Sequence, residues 1–191
     1  MKIIKTRIFK VLILSLIVGF VLGIISFILI SKKGIKSEII NYINLFKTGK
    51  FNYSTGLVKS LFNNLKYGFL IWIFGIIFIF SFLSLLLVAF KGITLGFTVS
   101  SVIYTFGLKG VLYSLILSLN SMISIIIYIF LCYYSLNFSI KSYNAFRNNR
   151  QINYKTFFIN YIYIFLILSG ALILNSLFEI YISSNIIKFV V

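Results

Sequence analysis

The sequence of 191 residues contains no histidine, no aspartate and no proline, and it has a single cysteine. Its only acids are Glu38 and Glu179, so it lacks the nucleophile–base pairs and nearby carboxylate pairs that hydrolases commonly use. Cys132 alone can form neither an intramolecular disulfide nor a zinc cluster, and because it stands inside an apolar run we expect a small core residue. We predict no catalytic, cofactor or metal site; acid–base chemistry by Glu179 alone is the remaining catalytic alternative.

Apolar side chains are what the chain has in abundance. They make up 61% of the sequence and give a mean hydropathy of +1.09, whereas soluble domains are about half apolar. Several uncharged runs are long enough to cross a bilayer. We therefore predict an all-α fold, a polytopic integral membrane helix bundle with about five transmembrane helices in a single domain, residues 1–191.

Positive charge is the second excess, because 18 lysines and arginines give a net charge of +16. In a soluble protein this excess would indicate nucleic-acid binding. Here the charges stand between the apolar runs, where membrane proteins keep them for orientation and for contact with anionic lipid. We expect membrane lipids as partners, and neither nucleic acid nor a small-molecule substrate.

Apolar runs predict five spans, at about 11–30, 67–90, 92–108, 111–136 and 157–178. Charged residues follow the first run directly in place of a cleavage site, which favours an uncleaved anchor over a signal peptide. Gly19 and Gly23 on it form a small-xxx-small face that would dock another helix. The run 111–136 carries a serine series, which would either line a pore or bond to neighbouring helices and its own backbone.

The third run is the shortest and has a Lys-Gly pair at each end. A helix from Gly92 to Leu108 is roughly 25 Å long, against a hydrocarbon core of about 30 Å, so its flanking lysines would snorkel to the interfaces. Its small residues would let neighbouring helices approach closely. We predict a short, central, Gly-bracketed segment that either spans fully or re-enters. Its structural or partner-contact residues are Lys91, Gly92, Gly96, Gly107, Lys109 and Gly110.

Residues 31–66 are the longest polar stretch, with apolar residues at helical spacing in two halves around a turn bracketed by Gly49 and Gly56. This pattern predicts an amphipathic surface loop of two short helices, which either docks partners or covers the bundle. Trp72 is expected near the membrane interface. Glu179 closes the last span, where it is either solvated or paired, or else buried and therefore a functional candidate.

Five crossings place the two termini on opposite sides of the membrane. The basic residues divide evenly between the two sides, so the positive-inside rule alone does not decide. The first helix usually dominates, and residues 1–10 and 137–155 are the densest in charge. We therefore predict a cytoplasmic N-terminus and a C-terminus outside.

Three stretches resemble the stage II sporulation protein M family. They are NNLKYGFLIWIFG at 63–75, KGITLGFTVS at 91–100 and FGLKG at 106–110. The length, the anchor helix before a polar loop, and a last helix ending in Glu179, Tyr181 and Ser183 also fit that family.

The resemblance implies a multi-pass protein of the sporulation septum and the engulfing membrane during endospore formation. It implies a non-catalytic scaffold that recruits and anchors stage II sporulation proteins D and P, which degrade peptidoglycan during septal thinning and forespore engulfment. The alternative is a membrane transport or channel component. A short Gly-bracketed segment is similar to the broken helices of transporters, and a serine series would supply a polar path.

Overall fold

The computed structural model describes residues 2–30, 32–47, 52–147 and 154–183, and over these residues the regular structure is helical, without a strand. The all-α prediction is therefore confirmed. A 3-10 turn at Phe78–Phe80 joins the third helix to the fourth, and a π-helical turn at Glu179–Ser183 extends the last. The α-helices are α1 (Lys2–Leu29), α2 (Lys32–Lys47), α3 (Tyr53–Ile76), α4 (Ser81–Phe106), α5 (Leu108–Arg147) and α6 (Tyr154–Phe178).

The first helix runs parallel to α4. This direction follows from two contacts: Gly19 faces Ala89, and Gly23, one turn later, faces Ile93. Between them, α2 and α3 return the chain to the end of the bundle where it began. The helices after α3 then reverse direction at each connection. The chain thus passes along the bundle five times, through α1, α3, α4, α5 and α6.

Basic side chains gather where α1 and α6 begin and where α5 ends, at the end of the bundle where α3 also ends and α4 begins. We name this the basic end. A ring stack with centroids 4.4 Å apart joins Phe78 of the α3–α4 turn to Tyr143 of α5 at this level. The cations of the basic end with described side chains are Arg7, Lys10, Lys141, Arg147 and Lys155.

Four stretches in the described part of the chain are long and apolar enough to cross a membrane: Arg7–Leu29, Phe78–Phe106, Leu108–Arg147 and Tyr154–Tyr181. The fifth passage, α3, falls outside this set because it carries lysines and asparagines, such as Lys66 and Asn64. The fold is an all-α membrane bundle in which four of the five passages are long and apolar enough to cross a membrane.

The predicted boundary between spans 67–90 and 92–108 is wrong. The chain turns at Ile77, whose backbone is extended (φ −97°, ψ 108°), and α4 then continues through Lys91 and Gly92 to Phe106. The turn consists of apolar residues and has no proline or charge to mark it in the sequence. Gly92 does not break α4, and its bare backbone instead contacts α1. Within the described residues 81–106 the chain is one continuous helix, so the predicted Gly-bracketed segment is the second part of α4.

The predicted surface loop 31–66 is confirmed as helix in its first half and is wrong in its second. Residues 53–66 form the beginning of α3, capped by Asn52, whose side chain accepts hydrogen bonds from the Thr55 amide and the Ser54 hydroxyl. Of the predicted turn between Gly49 and Gly56, residues 49–51 lie outside the described ones, and residues 53–56 belong to α3. The predicted span 111–136 is also too short, because α5 continues to Arg147.

The apolar core lies where these five passages meet. The buried Cys132 belongs to it and donates a hydrogen bond to Ser84 Oγ over 3.1 Å, which confirms the prediction of a small core residue. Other buried members are Leu12, Ile71, Val88, Ile127, Tyr128, Leu131, Leu136 and Leu172.

Candidate functional site

A polar cavity of about 160 Å³ lies inside the bundle, beside the apolar core. It brings together Lys91 and Glu179, two charged residues that the sequence singled out separately. Its volume is several times the roughly 30 Å³ of one liquid water molecule. Its lining is Ser60, Asn63, Asn64, Lys91, Thr94, Ser121, Ser124, Ile125 and Glu179.

Lys91 occupies the interior of α4, whereas the sequence predicted it at the end of a span. It lies ten residues after Ser81 and fifteen before Phe106, about 15 Å and 22 Å from the two helix ends. Its ammonium group lies 3.9 Å from the ring centroid of Tyr67 and 5.1 Å from that of Tyr128. Ring faces attract a cation electrostatically, and more strongly when water is excluded. The two tyrosines therefore stabilise a charge within the bundle.

Glu179 stands at the first position of the π-helical turn that extends α6. Its Oε2 accepts a hydrogen bond from Ser60 Oγ over 2.5 Å, which ties α6 to α3. Across the cavity the charges of Glu179 and Lys91 act on each other. The carboxylate is therefore partly buried and bound inside the bundle, which excludes the alternative that it is merely solvated at the chain's boundary.

A hydrogen-bonded network continues the cavity wall into the bundle. Asn64 donates through Nδ2 to Ser176 Oγ over 2.8 Å, and the hydroxyl of Tyr128 donates to the backbone and side-chain oxygens of Asn64, each over 3.1 Å. Asn175 donates to Ser124 Oγ over 3.1 Å. Because buried polar groups are costly without partners, these bonds fix how α3, α5 and α6 align.

Two of the predicted glycines, Gly92 and Gly96, lie at the crossing of α4 with α1. A Cβ atom on Gly92 would lie 2.6 Å from the carbonyl oxygen of Leu16, and one on Gly96 would overlap the carbonyl oxygen of Phe20. On α1, Gly19 and Gly23 meet α4 backbone in the same way, so the predicted docking face is confirmed. Small residues on both helices let the two backbones touch.

The remaining predicted residues lie away from the cavity. Gly107 ends α4 with a positive φ of 60° and has open space around it, so it shapes a turn and does not pack a helix. Lys109 is exposed beside it, and a Cβ on Gly110 would lie 2.6 Å from the carbonyl oxygen of Val102. Trp72 stacks on Phe165 and Tyr161 of α6, with centroids 5.0 and 5.8 Å away.

The serine series of α5 divides between backbone bonding and the wall of the cavity. Ser114 and Ser118 are buried and donate to carbonyl oxygens three residues earlier in their own helix. Only Ser121 and Ser124 reach the cavity. For Ser114 and Ser118, bonding to their own backbone is the alternative that is observed.

Sequence reasoning did not identify the polar side of α3, namely Ser60, Asn63 and Asn64, as part of a buried site. These residues follow a helical spacing, and in an amphipathic surface helix such a polar face is expected to meet water. A second signal was the adjacent pair Asn175 and Ser176 within an otherwise apolar run. Two polar stripes on different helices are the pattern expected of a shared buried network.

Comparison with known proteins gave one match, to a protein family. The family model described as Stage II sporulation protein M matches residues 7–184. Neither a comparison with curated proteins nor one with solved structures found a match. The matched range includes α1 from Arg7 onward, all of α2 to α6, the crossing of α1 with α4 and the polar cavity. Because it covers nearly the whole chain, the protein belongs to the stage II sporulation protein M family.

Proposed function

We propose that this protein is a non-catalytic membrane scaffold of endospore formation. It recruits and anchors stage II sporulation proteins D and P in the septal and engulfing membrane, where those partners degrade peptidoglycan. Its N-terminus lies in the cytoplasm and its C-terminus outside. The observation that carries the proposal is the family match over residues 7–184.

The chemistry of the chain supports a role without catalysis. Glu38 is exposed on α2 while Glu179 lines the polar cavity, so the two carboxylates do not share that site. The thiol of Cys132 is fully buried against Ser84 and is closed to a substrate. A hydrolase commonly needs a nucleophile with its base, or two nearby carboxylates. These residues therefore fit structural roles.

The exposed side of α2 is the described surface best suited to hold a partner outside the bundle. Lys36 and Glu38 are both exposed there, while α2 itself packs against α4. A surface carrying both charge signs provides complementary contacts that fix the register of a partner. Proteins D and P would dock here, on the side of the membrane where peptidoglycan lies.

Pull-down of the tagged full-length chain from detergent-solubilised sporulating cells should recover proteins D and P. We expect Lys36→Glu to reduce recovery several-fold, because one interface charge is reversed. The matched control is Lys109→Glu, which reverses an exposed lysine at the α4–α5 turn. Failure to recover either partner while both are expressed would contradict the scaffold proposal.

A second candidate function, a transport or channel component, is favoured by one observation. The polar cavity holds Lys91 and Glu179 inside a membrane bundle, and intramembrane charges commonly mark solute or ion pathways. Proteoliposomes of the purified chain would decide between the two functions. If the scaffold proposal is right, ion and solute flux will equal that of protein-free vesicles, and Lys91→Met will leave it unchanged. Flux that is lost in Lys91→Met would establish the transport function instead.

A further inference from the structure

A second concave site lies between α5 and α6 at the basic end, separate from the polar cavity. We name it the aromatic groove. It has a volume of about 250 Å³. The residues that determine its chemistry are Tyr134, Phe138, Lys141, Phe157, Asn160 and Tyr161.

The walls of the aromatic groove are stacked rings, and its rim carries a cation. Phe138 stacks on Phe157 and Tyr161 with centroids 4.8 and 4.3 Å away. Lys141 is exposed, with its ammonium group 5.7 Å from the Phe157 ring centroid. Apolar walls below a positive rim match a ligand that is itself apolar at one end and anionic at the other.

The order of these residues along α5 gives the groove a direction. Lys141 lies seven residues after Tyr134, so it stands about 10 Å closer to the basic end of the bundle. On α6, Ile164 lies about the same distance deeper than Phe157. The charged rim thus faces the end of the bundle, while the apolar walls extend towards its middle. A phospholipid in the adjacent leaflet has the same polarity.

No side-chain carboxylate is available to neutralise Lys141. The chain's only acids are Glu38, on α2, and Glu179, and neither lines the groove. Glu179 follows Tyr161 by eighteen residues, about 27 Å along the helix. The other cations of the basic end add to the positive potential. The counter-ion of the groove must therefore come from outside the protein's side chains.

We propose that the aromatic groove binds an anionic phospholipid, with the phosphate group at Lys141 and an acyl chain against the rings of Phe138 and Tyr161. Basic pockets between membrane helices bind acidic lipid headgroups by the same combination of charge and apolar surface. The site is independent of the scaffold function, because it uses neither α2 nor the polar cavity.

The single tryptophan of the chain reports on this site. Trp72 stacks on Tyr161, which is a wall of the groove. Bromine atoms on an acyl chain quench indole fluorescence only at close range. The full-length protein would be reconstituted in phosphatidylcholine vesicles containing a small, equal fraction of either brominated phosphatidylglycerol or brominated phosphatidylcholine. Quenching would be recorded as that fraction is raised.

We expect brominated phosphatidylglycerol to reach half-maximal quenching at a roughly five-fold lower fraction, the ratio that corresponds to about 1 kcal/mol for one lysine at a lipid surface. Lys141→Gln should abolish this preference. Lys109→Gln, an exposed lysine on the same helix outside the groove, should keep it. Equal quenching by both lipids, or a preference that survives Lys141→Gln, would overturn the proposal. Reversal of the preference by millimolar inorganic phosphate would also overturn it, because the site would then recognise phosphate and not lipid.

Discussion

Leucine at position 96 will separate α1 from α4 and destabilise the whole bundle. Gly96 contacts the backbone of Phe20, so the added side chain meets a carbonyl group and not a flexible side chain that can move. Overpacking a tight site costs about 1–3 kcal/mol, and contact with backbone lies at the upper end of that range. We expect Gly96→Leu to lower the free energy of unfolding by about 3 kcal/mol, measured by denaturation in mixed micelles.

The matched control is Gly170→Leu. Gly170 also lies within an apolar membrane helix, α6, but a Cβ atom there meets nothing within 4 Å. We expect the control to change stability by less than about 0.5 kcal/mol. If Gly96→Leu and Gly170→Leu behave alike, close approach of α1 and α4 does not stabilise the fold.

Removal of one charge from the polar cavity will leave the other poorly compensated. Lys91→Met takes away an ammonium group that shares the partly open polar cavity with Glu179. Leaving a partly buried charged group without its compensating charge costs about 1–3 kcal/mol. Because Glu179 keeps its hydrogen bond from Ser60, we expect a loss of about 1–2 kcal/mol.

The decisive measurement is the double-mutant cycle of Lys91→Met and Glu179→Gln. Once one charge is absent, removal of the second no longer leaves an uncompensated group. The double mutant should therefore lose about 1–3 kcal/mol less stability than the sum of the losses in the two single mutants. Lys109→Met, at an exposed position outside the cavity, should lower stability by less than about 0.5 kcal/mol. Strict additivity of the two cavity substitutions would show that the two charges act independently.

Helix content and the extent of the outer helices could be predicted because they depend on composition over many residues. The runs 11–30 and 157–178 each became one helix, α1 and α6, since long uncharged stretches permit little else in a bilayer. The docking face of Gly19 and Gly23 was also predicted. The helix that this face contacts, α4, could not be predicted, because residue spacing on one helix carries no information about which distant helix will meet it.

The turn at Ile77 and the buried side of α3 were missed for opposite reasons. The turn is built from isoleucine and phenylalanine, which a hydropathy pattern extends into a longer helix. The polar stripe of α3, including Asn64, has the spacing of a surface helix, and the water it was expected to face is replaced by the polar groups of α5 and α6. Periodicity identifies a polar face, but only tertiary packing determines what that face meets.

The parallel crossing of α1 and α4 affects how the protein is made. About seventy residues separate the two faces of this contact, because α2, α3 and the first part of α4 follow α1 in the chain. While the ribosome adds those residues, the glycine face of α1 remains against lipid or a chaperone. A nascent chain halted before Gly96 has emerged therefore lacks its principal helix pair, and quality-control proteases would recognise it as unfinished.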